Sequence, residues 1–232
     1  ALAWSQENLH GAARNEAIAS LVKSAAEKSL TTASELVADM DPGHAQNRAC
    51  ASIFETWFKK TEERSAAFEW LASLPDAEAR RTALERVQWN WMLREPAAVR
   101  EFISGSHGDL ASPSMIHQVA RHEATKNPEN AMQWASSLPG ERAASARAAV
   151  LEGWLSIRPE GAADYARELP AGPERTNAIR TISRGLVWQN IDQADAWLKS
   201  LPPADQKIVR QVFEDTNLPK ETRAKLNAVR TP

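Results

Sequence analysis

Apolar residues recur along this chain at three- and four-residue spacings, which place them on one face of a helix. In the segment 131–138, for example, Ala131, Trp134, Ala135 and Leu138 lie at positions i, i+3, i+4 and i+7. Val and Ile do not form the alternating runs that are typical of strands. The pattern therefore predicts an all-α chain.

A short phrase recurs at the end of several of these predicted helices. It is AFEWLASLP at 67–75, AMQWASSLP at 131–139, AADYARELP at 162–170 and ADAWLKSLP at 194–202. Its aromatic position continues at near-equal steps through the rest of the chain, which predicts about seven tandem units with a period near 32 residues. The residues at this position are Trp4, Leu36, Trp70, Phe102, Trp134, Tyr165 and Trp197.

Proline delimits the first helix of each predicted unit. A proline in the first turn costs little, because the N–H that it lacks would have no partner there. The residue before a proline is held out of the helical region, so a later proline ends the helix. We expect Asn127 and Asp192 to be N-caps, since short polar side chains accept hydrogen bonds from first-turn N–H groups. The opening prolines are Pro96, Pro128 and Pro159, and the closing prolines are Pro75, Pro139, Pro170 and Pro202.

The second predicted helix of each unit carries small and bulky apolar residues at four-residue steps. Small residues let two helices approach closely, and bulky residues fill the space between them. A pair of such short helices cannot bury its apolar face alone, which predicts that neighbouring pairs stack. The series are Ala49, Ile53 and Trp57; Ala83, Val87 and Trp91; Ala146, Val150 and Trp154; Ala178, Ile182 and Leu186; and, one unit earlier, Ala17, Leu21 and Ala25.

The alternation of an aromatic residue, Ala, a bulky residue and Pro, as in Trp134, Ala146, Val150 and Pro159, resembles the tetratricopeptide-like class of α-solenoids over essentially the whole chain. The unit is shorter than the usual 34 residues of that class, and the glycine of its first helix is absent. The resemblance implies a superhelical solenoid of antiparallel helix hairpins and a general role as a protein-interaction scaffold.

We expect a single helical-repeat domain over residues 1–232. Its units start near 1, 31, 62, 96, 128, 159 and 192, and a charged helix at 219–229 caps the last hairpin. Because Trp4 lies so close to the first residue, the first helix is short, and we expect the sequence to be part of a longer chain.

Composition limits the possible functions. The 28 basic and 30 acidic residues give a net charge of −2. This charge argues against a nucleic-acid partner, because proteins that bind nucleic acids usually carry a basic surface. No apolar run approaches the roughly 20 residues of a membrane-spanning helix. A single cysteine, Cys50, excludes an internal disulfide and a cysteine-based zinc site within one chain. No cofactor or metal is indicated.

The fourth unit, at about 99–125, departs from the repeat. It lacks the phrase SLP and contains SGSHGDL at 104–110. Departures from a local pattern are where functional sites are expected. One interpretation is a polar pocket or a metal site from His107, His117 and His122, and His107, His117 and Arg121 are also candidates for partner binding. The other, which we favour, is a degenerate repeat with a longer loop, because the five-residue spacing of His117 and His122 suits one helical face poorly.

Trp89 and Trp188 lie outside the apolar series. Each follows a core position, Val87 or Leu186, by two residues, which is about 200° around a helix. One hypothesis is that both face a groove and contact a partner, since Trp is enriched at binding hot spots. The alternative is that they pack against an adjacent hairpin.

A basic residue recurs shortly after the closing prolines. Such a row of cations would bind carboxylates of a peptide, or it would pair internally with acidic residues such as Glu78, Glu141 and Glu174. Arg81, Arg142 and Arg175 are kept as candidates for partner binding. The full set is Arg48, Arg80, Arg81, Arg142, Arg175 and Lys207.

Catalytic groupings are weak. Ser106, His107 and Asp109 are neighbours in sequence, but a catalytic triad is defined by its geometry. Asp39 and Asp41 flank Met40 at a predicted helix end, where solvated carboxylates would not divide into an acid and a base. Cys50 follows a small core position and is expected to be a buried apolar residue rather than a nucleophile.

The sequence therefore predicts a non-catalytic scaffold that binds a protein or peptide on a solenoid surface. The alternative is an accessory helical-repeat domain of a larger, possibly exported enzyme whose catalytic domain lies outside this chain. Another alternative is a solenoid that itself binds nucleic acid or carbohydrate. Nucleic-acid binding would need lysines and arginines segregated onto one face.

Overall fold

The computed structural model describes residues 8–216, where the chain forms thirteen α-helices and no strand. The predicted all-α class is confirmed, whereas Trp4 and the helix expected at 219–229 lie outside the described residues. None of the thirteen helices has both the length and the apolar composition to cross a bilayer. The helices are α1 (Gly11–Lys28), α2 (Leu30–Ala38), α3 (His44–Phe58), α4 (Arg64–Ser73), α5 (Ala77–Arg94), α6 (Pro96–Ser104), α7 (Pro113–Lys126), α8 (Pro128–Ser137), α9 (Glu141–Ile157), α10 (Pro159–Glu168), α11 (Pro173–Gln189), α12 (Ile191–Ser200) and α13 (Pro203–Asp215).

Long and short helices alternate along the chain. The odd-numbered helices have 13 to 18 residues and the even-numbered ones 9 or 10. Contacts divide the chain between Met115 and Ile116, within α7, into two compact units. In the first unit, α3 packs against α1 and α5, and short helices lie against these long ones. In the second unit, α11 packs against α9 and α13 in the same way.

The predicted proline boundaries are confirmed. Pro96, Pro128 and Pro159 each occupy the first turn of a short helix. The leucine before each closing proline has extended backbone angles, as at Leu138 with φ −71° and ψ 146°. Asn127 is an N-cap whose side chain accepts a hydrogen bond from the Asn130 N–H at 2.8 Å. The N-cap prediction for Asp192 is wrong, because the extended residue before that helix is Asn190 and its side chain accepts from the first-turn N–H groups.

The serine of the SLP phrase helps to end the short helices. Its hydroxyl donates to the carbonyl oxygen three residues earlier, which is the carbonyl of the aromatic position. This bond satisfies one of the last-turn carbonyls that have no partner within a helix. The pairs are Ser73 to Trp70 at 2.7 Å, Ser137 to Trp134 at 2.7 Å and Ser200 to Trp197 at 2.8 Å.

A long polar side chain from the next helix caps the same helix end. The Arg175 guanidinium donates to the Leu169 carbonyl oxygen at 2.7 Å, and Arg80 donates to the Leu74 and Pro75 carbonyl oxygens. The amide of Gln206 donates to the Leu201 carbonyl oxygen at 2.9 Å. Gln46 does the same for Val37 and Met40, at 3.2 and 3.4 Å. The side chain after each turn thus ties the long helix to the short helix before it.

The four-residue apolar series are buried except for the half-buried Trp57, with one change of register. In α1 the buried residues are Ile18, Val22 and Ala26, whereas the predicted Ala17, Leu21 and Ala25 are half-buried. A shift of one residue turns a helix by about 100°. Both stripes are apolar, so spacing alone could not choose between them; burying Ile18 and Val22 removes more apolar surface from water.

An aromatic cluster forms part of the core of the first unit. The Phe68 ring lies at its centre, and the ring centroids of Phe102, Trp91, Phe54 and Phe58 lie 4.5 to 5.9 Å from it. These distances suit stacked and edge-on aromatic contacts. The cluster joins α3, α4, α5 and α6 within this unit.

Two glycines let the long helices of the second unit approach closely. A Cβ atom at Gly153 in α9 would lie 2.8 Å from the Arg121 carbonyl oxygen of α7 and 2.9 Å from the Ala124 Cβ atom. A Cβ atom at Gly185 in α11 would lie 2.1 Å from the Leu155 Cδ2 atom of α9. Glycine within a helix costs about 1 kcal/mol relative to alanine, and close packing of the three helices offsets that cost.

We expect Gly153→Ala to destabilise the second unit. The added Cβ atom meets backbone, so α7 and α9 must separate, at a cost of about 1–3 kcal/mol that exceeds the gain of about 1 kcal/mol in helix propensity. Gly185→Ala is the matched control: its Cβ atom meets the end of a leucine side chain, and we expect a smaller loss. Urea unfolding followed by circular dichroism gives both values. A Gly153→Ala variant more stable than the wild type would contradict this account.

Arg175 also pairs with a carboxylate that is largely buried. Its Nε and Nη2 atoms donate to the Asp205 Oδ2 atom at 2.9 and 2.5 Å, and the two side chains are 13% and 12% exposed.

Arg175→Ala leaves Asp205 without its cation and uncaps α10, so we expect a loss of about 3 kcal/mol or more in the free energy of unfolding. Arg81→Ala, at an exposed pair, is the control and should leave the urea midpoint nearly unchanged. Equal losses in the two variants would show that the Arg175–Asp205 pair does not stabilise the fold.

Candidate functional site

The exposed large apolar side chains of the described residues all lie on long helices. Trp89 and Leu93 of α5 are 64% and 82% exposed, and Trp188 of α11 is 63% exposed. Ile157, the last residue of α9, is 45% exposed. Trp89 and Trp188 thus lie off the core register, as predicted, and the alternative that both are buried against adjacent hairpins is wrong. Exposed tryptophans are uncommon enough to mark these faces as candidate contact surfaces.

The sequence analysis did not single out Leu93 as an exposed apolar residue, although its position in the repeat indicates that it is one. It lies four residues after Trp89, so the two side chains are neighbours on the surface of α5. It also follows Trp91 by two residues, just as Trp188 follows Leu186. Leu93 and Trp188 are therefore the equivalent positions in the repeat, and Trp89 lies one turn earlier.

The second unit has a groove beside Trp188. The long helices α7, α9 and α11 contribute to it, so it brings together Arg121 and Trp188, two of the residues that the sequence singled out. Leu155 and Gly185 supply apolar surface, and Arg184 lies one turn before Trp188. Close approach of α7 to α9 at Gly153, and of α9 to α11 at Gly185, places these side chains around one depression.

The charges in this groove are only partly paired. Glu152 of α9 lines the groove, and its Oε2 atom lies 2.9 Å from His117 Nε2 of α7. Arg121 and Arg184 are exposed, and neither has an ion-pair or hydrogen-bond partner within residues 8–216. The groove therefore combines an exposed indole ring with two available guanidinium groups.

The first unit has a groove of a different character between α3 and α5. Arg64 forms two hydrogen bonds with Glu95, at 2.6 and 2.8 Å, and Arg86 pairs with Glu55 at 3.0 Å. The hydrogen bonds from Arg64 hold the pKa of Glu95 below its ordinary value, with a smaller contribution from the charge of Arg94. Most cations of this groove are thus already paired with carboxylates of the same unit.

Most of the basic residues that follow the closing prolines are used internally. Arg80 and Arg175 cap short helices, and Arg81 pairs with Glu78 and Glu85 of its own helix. Arg48 pairs with Glu16. Internal pairing with carboxylates is confirmed for Arg48, Arg81 and Arg175, whereas Arg80 bonds to backbone carbonyl oxygens. Arg175 pairs with Asp205, and Glu174 pairs with Arg147 instead. Arg142 lies half-buried in the first turn of α9, and Lys207 is exposed on α13.

The irregular fourth unit forms helices α6 and α7, which are joined by a loop of eight residues at 105–112. The longer loop that we favoured is confirmed. His107 lies in this loop with its ring stacked on Phe68, at a centroid distance of 6.1 Å, and its Nδ1 atom is 3.3 Å from the Ser106 hydroxyl. Across residues 8–216 no three His, Cys, Asp or Glu side chains are arranged to hold a metal ion. The structure therefore does not support a metal site formed by His107, His117 and His122.

The two aspartates near Met40 are not arranged as an acid and a base. The Asp41 carboxylate accepts a hydrogen bond from the Asn15 amide at 3.2 Å, and the Asp41 N–H donates to the Asn15 oxygen at 3.3 Å. At Asp39 it is the backbone carbonyl oxygen, not the carboxylate, that accepts from Arg14. These bonds connect α1 to the turn after α2.

Cys50 is buried in α3, with 3% of its surface exposed. Burial raises the pKa of the Cys50 thiol to about 11, and the negative charge of Asp76 adds to the effect. The reactive thiolate is therefore scarce at neutral pH. Cys50 is a core residue, as expected from its position after Ala49.

We expect Cys50 to resist thiol reagents until the first unit unfolds. At mildly alkaline pH an aromatic disulfide reagent should modify the native protein slowly and the urea-unfolded chain rapidly. Because the folded pKa of about 11 exceeds the reference value of 9.0, the stability that burial of the neutral thiol contributes is present below about pH 9 and is lost as the pH rises towards 11. Cys50→Ala supplies the unreactive control. Rapid modification without denaturant would show that Cys50 is accessible.

No protein-family model, curated protein or solved structure matches this chain. The likeness to tetratricopeptide-like solenoids thus stands on the residues of the repeat itself.

Proposed function

We propose that this protein is a non-catalytic scaffold that binds a protein or peptide on the exposed faces of its long helices. The observation that carries the proposal is the position of the exposed apolar side chains. Trp89, Leu93, Ile157 and Trp188 all belong to long helices, and each is at least 45% exposed. Trp89 and Leu93 lie one turn apart on α5, and adjacent large apolar side chains at the surface favour a role in contacts with other molecules.

We also propose that the hairpins stack as a tetratricopeptide-like solenoid of about seven units. The short helices begin at residues 30, 64, 96, 128, 159 and 191, at nearly constant spacing. Within each unit, consecutive long helices pack against one another. A stack of this kind offers an extended, preformed surface, so little ordering is needed on the scaffold side when a partner binds.

The non-catalytic part of the proposal is supported by the surroundings of the candidate reactive groups. Cys50 is buried with a raised thiol pKa, Asp41 is bonded to Asn15, and His107 is stacked on Phe68. Of these three groups only His107 has a nucleophile beside it, the Ser106 hydroxyl at 3.3 Å, and its ring is half-buried against Phe68.

Partner capture tests the proposed face. The wild type, immobilised and incubated with native cell extract, should enrich a protein that a Trp89→Ala, Trp188→Ala double variant does not. Each tryptophan at a binding hot spot contributes about 2 kcal/mol or more, so the double variant should lose nearly all capture. Quantitative mass spectrometry of the bound fraction measures the loss.

The matched control is a Gln133→Ala, Gln193→Ala variant, which alters two exposed residues on the short helices α8 and α12. It should capture the partner as the wild type does. All variants should retain the helical signal of the wild type. If no protein is enriched, or if the tryptophan variant captures it equally well, the proposed binding face is wrong.

A further inference from the structure

We infer that the groove beside Trp188 binds an acidic segment of a partner protein. Arg121 and Arg184 would pair with its Asp or Glu carboxylates, and Trp188 would cover an adjacent large apolar side chain. This inference rests on the proposed scaffold function and adds the chemistry of the partner to it. It concerns the second unit alone.

The availability of the two arginines is the first argument. Arg121 comes from α7 and Arg184 from α11, so the packing of the helices, rather than sequence proximity, brings both to one groove. Within residues 8–216 neither side chain has an ion-pair or hydrogen-bond partner. Other arginines of the same unit are paired with carboxylates: Arg147 with Glu174, Arg158 with Glu129, Arg167 with Asp164 and Arg175 with Asp205.

The balance of charge in the groove is the second argument. Glu152 is the one carboxylate among the residues that line it, and its Oε2 atom is 2.9 Å from His117 Nε2. The Glu152 carboxylate is thus paired with His117 and not with Arg121 or Arg184. Two guanidinium groups therefore face one carboxylate, and a ligand with carboxylates would complement them, because arginine binds carboxylates through paired hydrogen bonds.

The apolar surface between the charges is the third argument. Trp188 is 63% exposed, whereas Leu155 is 1% exposed beneath the groove. The Leu155 side chain packs onto Gly185, where a Cβ atom would lie 2.1 Å from its Cδ2 atom, and these two residues line the groove together with the indole ring of Trp188. Such a site suits an apolar side chain next to an acidic one. A nucleic acid is a poorer fit, because its binding draws on many phosphate contacts, and this groove has two free cations and a carboxylate.

Selection from a phage-displayed library of random peptides tests the inference. Peptides selected by the wild type should be enriched in Asp or Glu next to a large apolar residue. An Arg121→Gln, Arg184→Gln double variant should lose that enrichment, and its affinity for a selected peptide should fall about tenfold or more, because both charge-assisted contacts to the carboxylates are lost. Trp188→Ala should weaken binding of the same peptide. Fluorescence anisotropy measures these affinities.

Arg180→Gln is the matched control. Arg180 is an exposed arginine one turn before Arg184 on α11, and it does not line the groove. Its substitution removes the same charge and should leave the affinity within about twofold, as expected for an exposed charge outside the contact. A selected peptide in which every Asp and Glu is replaced by Asn and Gln should bind as weakly as the acidic peptide binds the double arginine variant.

Several outcomes would overturn the inference. These are selection of neutral or basic peptides, failure to select any peptide, an acidic preference that survives in the double arginine variant, or tighter binding of a single-stranded oligonucleotide than of the selected peptides. If the tryptophan-dependent capture of a partner nevertheless succeeds, the scaffold function stands and the acidic preference alone fails. If capture fails as well, both are wrong.

Discussion

The stop at the end of the short helices that close on proline is the constraint on which the rest of this structure depends. In α4, α8, α10 and α12 a leucine held in extended backbone by the following proline ends the helix, and in all of these but α10 the serine before it satisfies a last-turn carbonyl. An arginine or glutamine from the next helix bonds to further carbonyls of the same end, as Arg175 does at Leu169. The stop thus fixes the length of the short helix and ties it to the long helix that follows.

This constraint also determines which polar side chains are left for binding. Residues in the first turn of a long helix, such as Arg80 and Arg175, face the preceding helix end and have their donors used there. Arg184 and Trp188 lie later on the long helix, beyond the reach of that turn. The position of a residue along the repeat therefore separates capping side chains from exposed ones.

Much of the local structure could be predicted from the sequence. The opening and closing prolines, the N-cap at Asn127 and the buried four-residue series follow from rules that act over one or two helical turns. The same rules placed Trp89 and Trp188 off the core register but left open whether they were exposed. Where two local signals competed, prediction failed. In α1 two adjacent apolar stripes were possible and tertiary burial chose the one with Ile18, and both Asn190 and Asp192 were able to cap α12.

The sequence by itself determined the all-α class and most of the helix boundaries, because spacing, capping and proline chemistry are local. Only the tertiary structure decided which distant residues meet. His117 bonds to Glu152, 35 residues away, and Arg121 shares a groove with Arg184. These encounters depend on how closely α7, α9 and α11 pack, which the missing Cβ atoms of Gly153 and Gly185 permit and which no local spacing encodes.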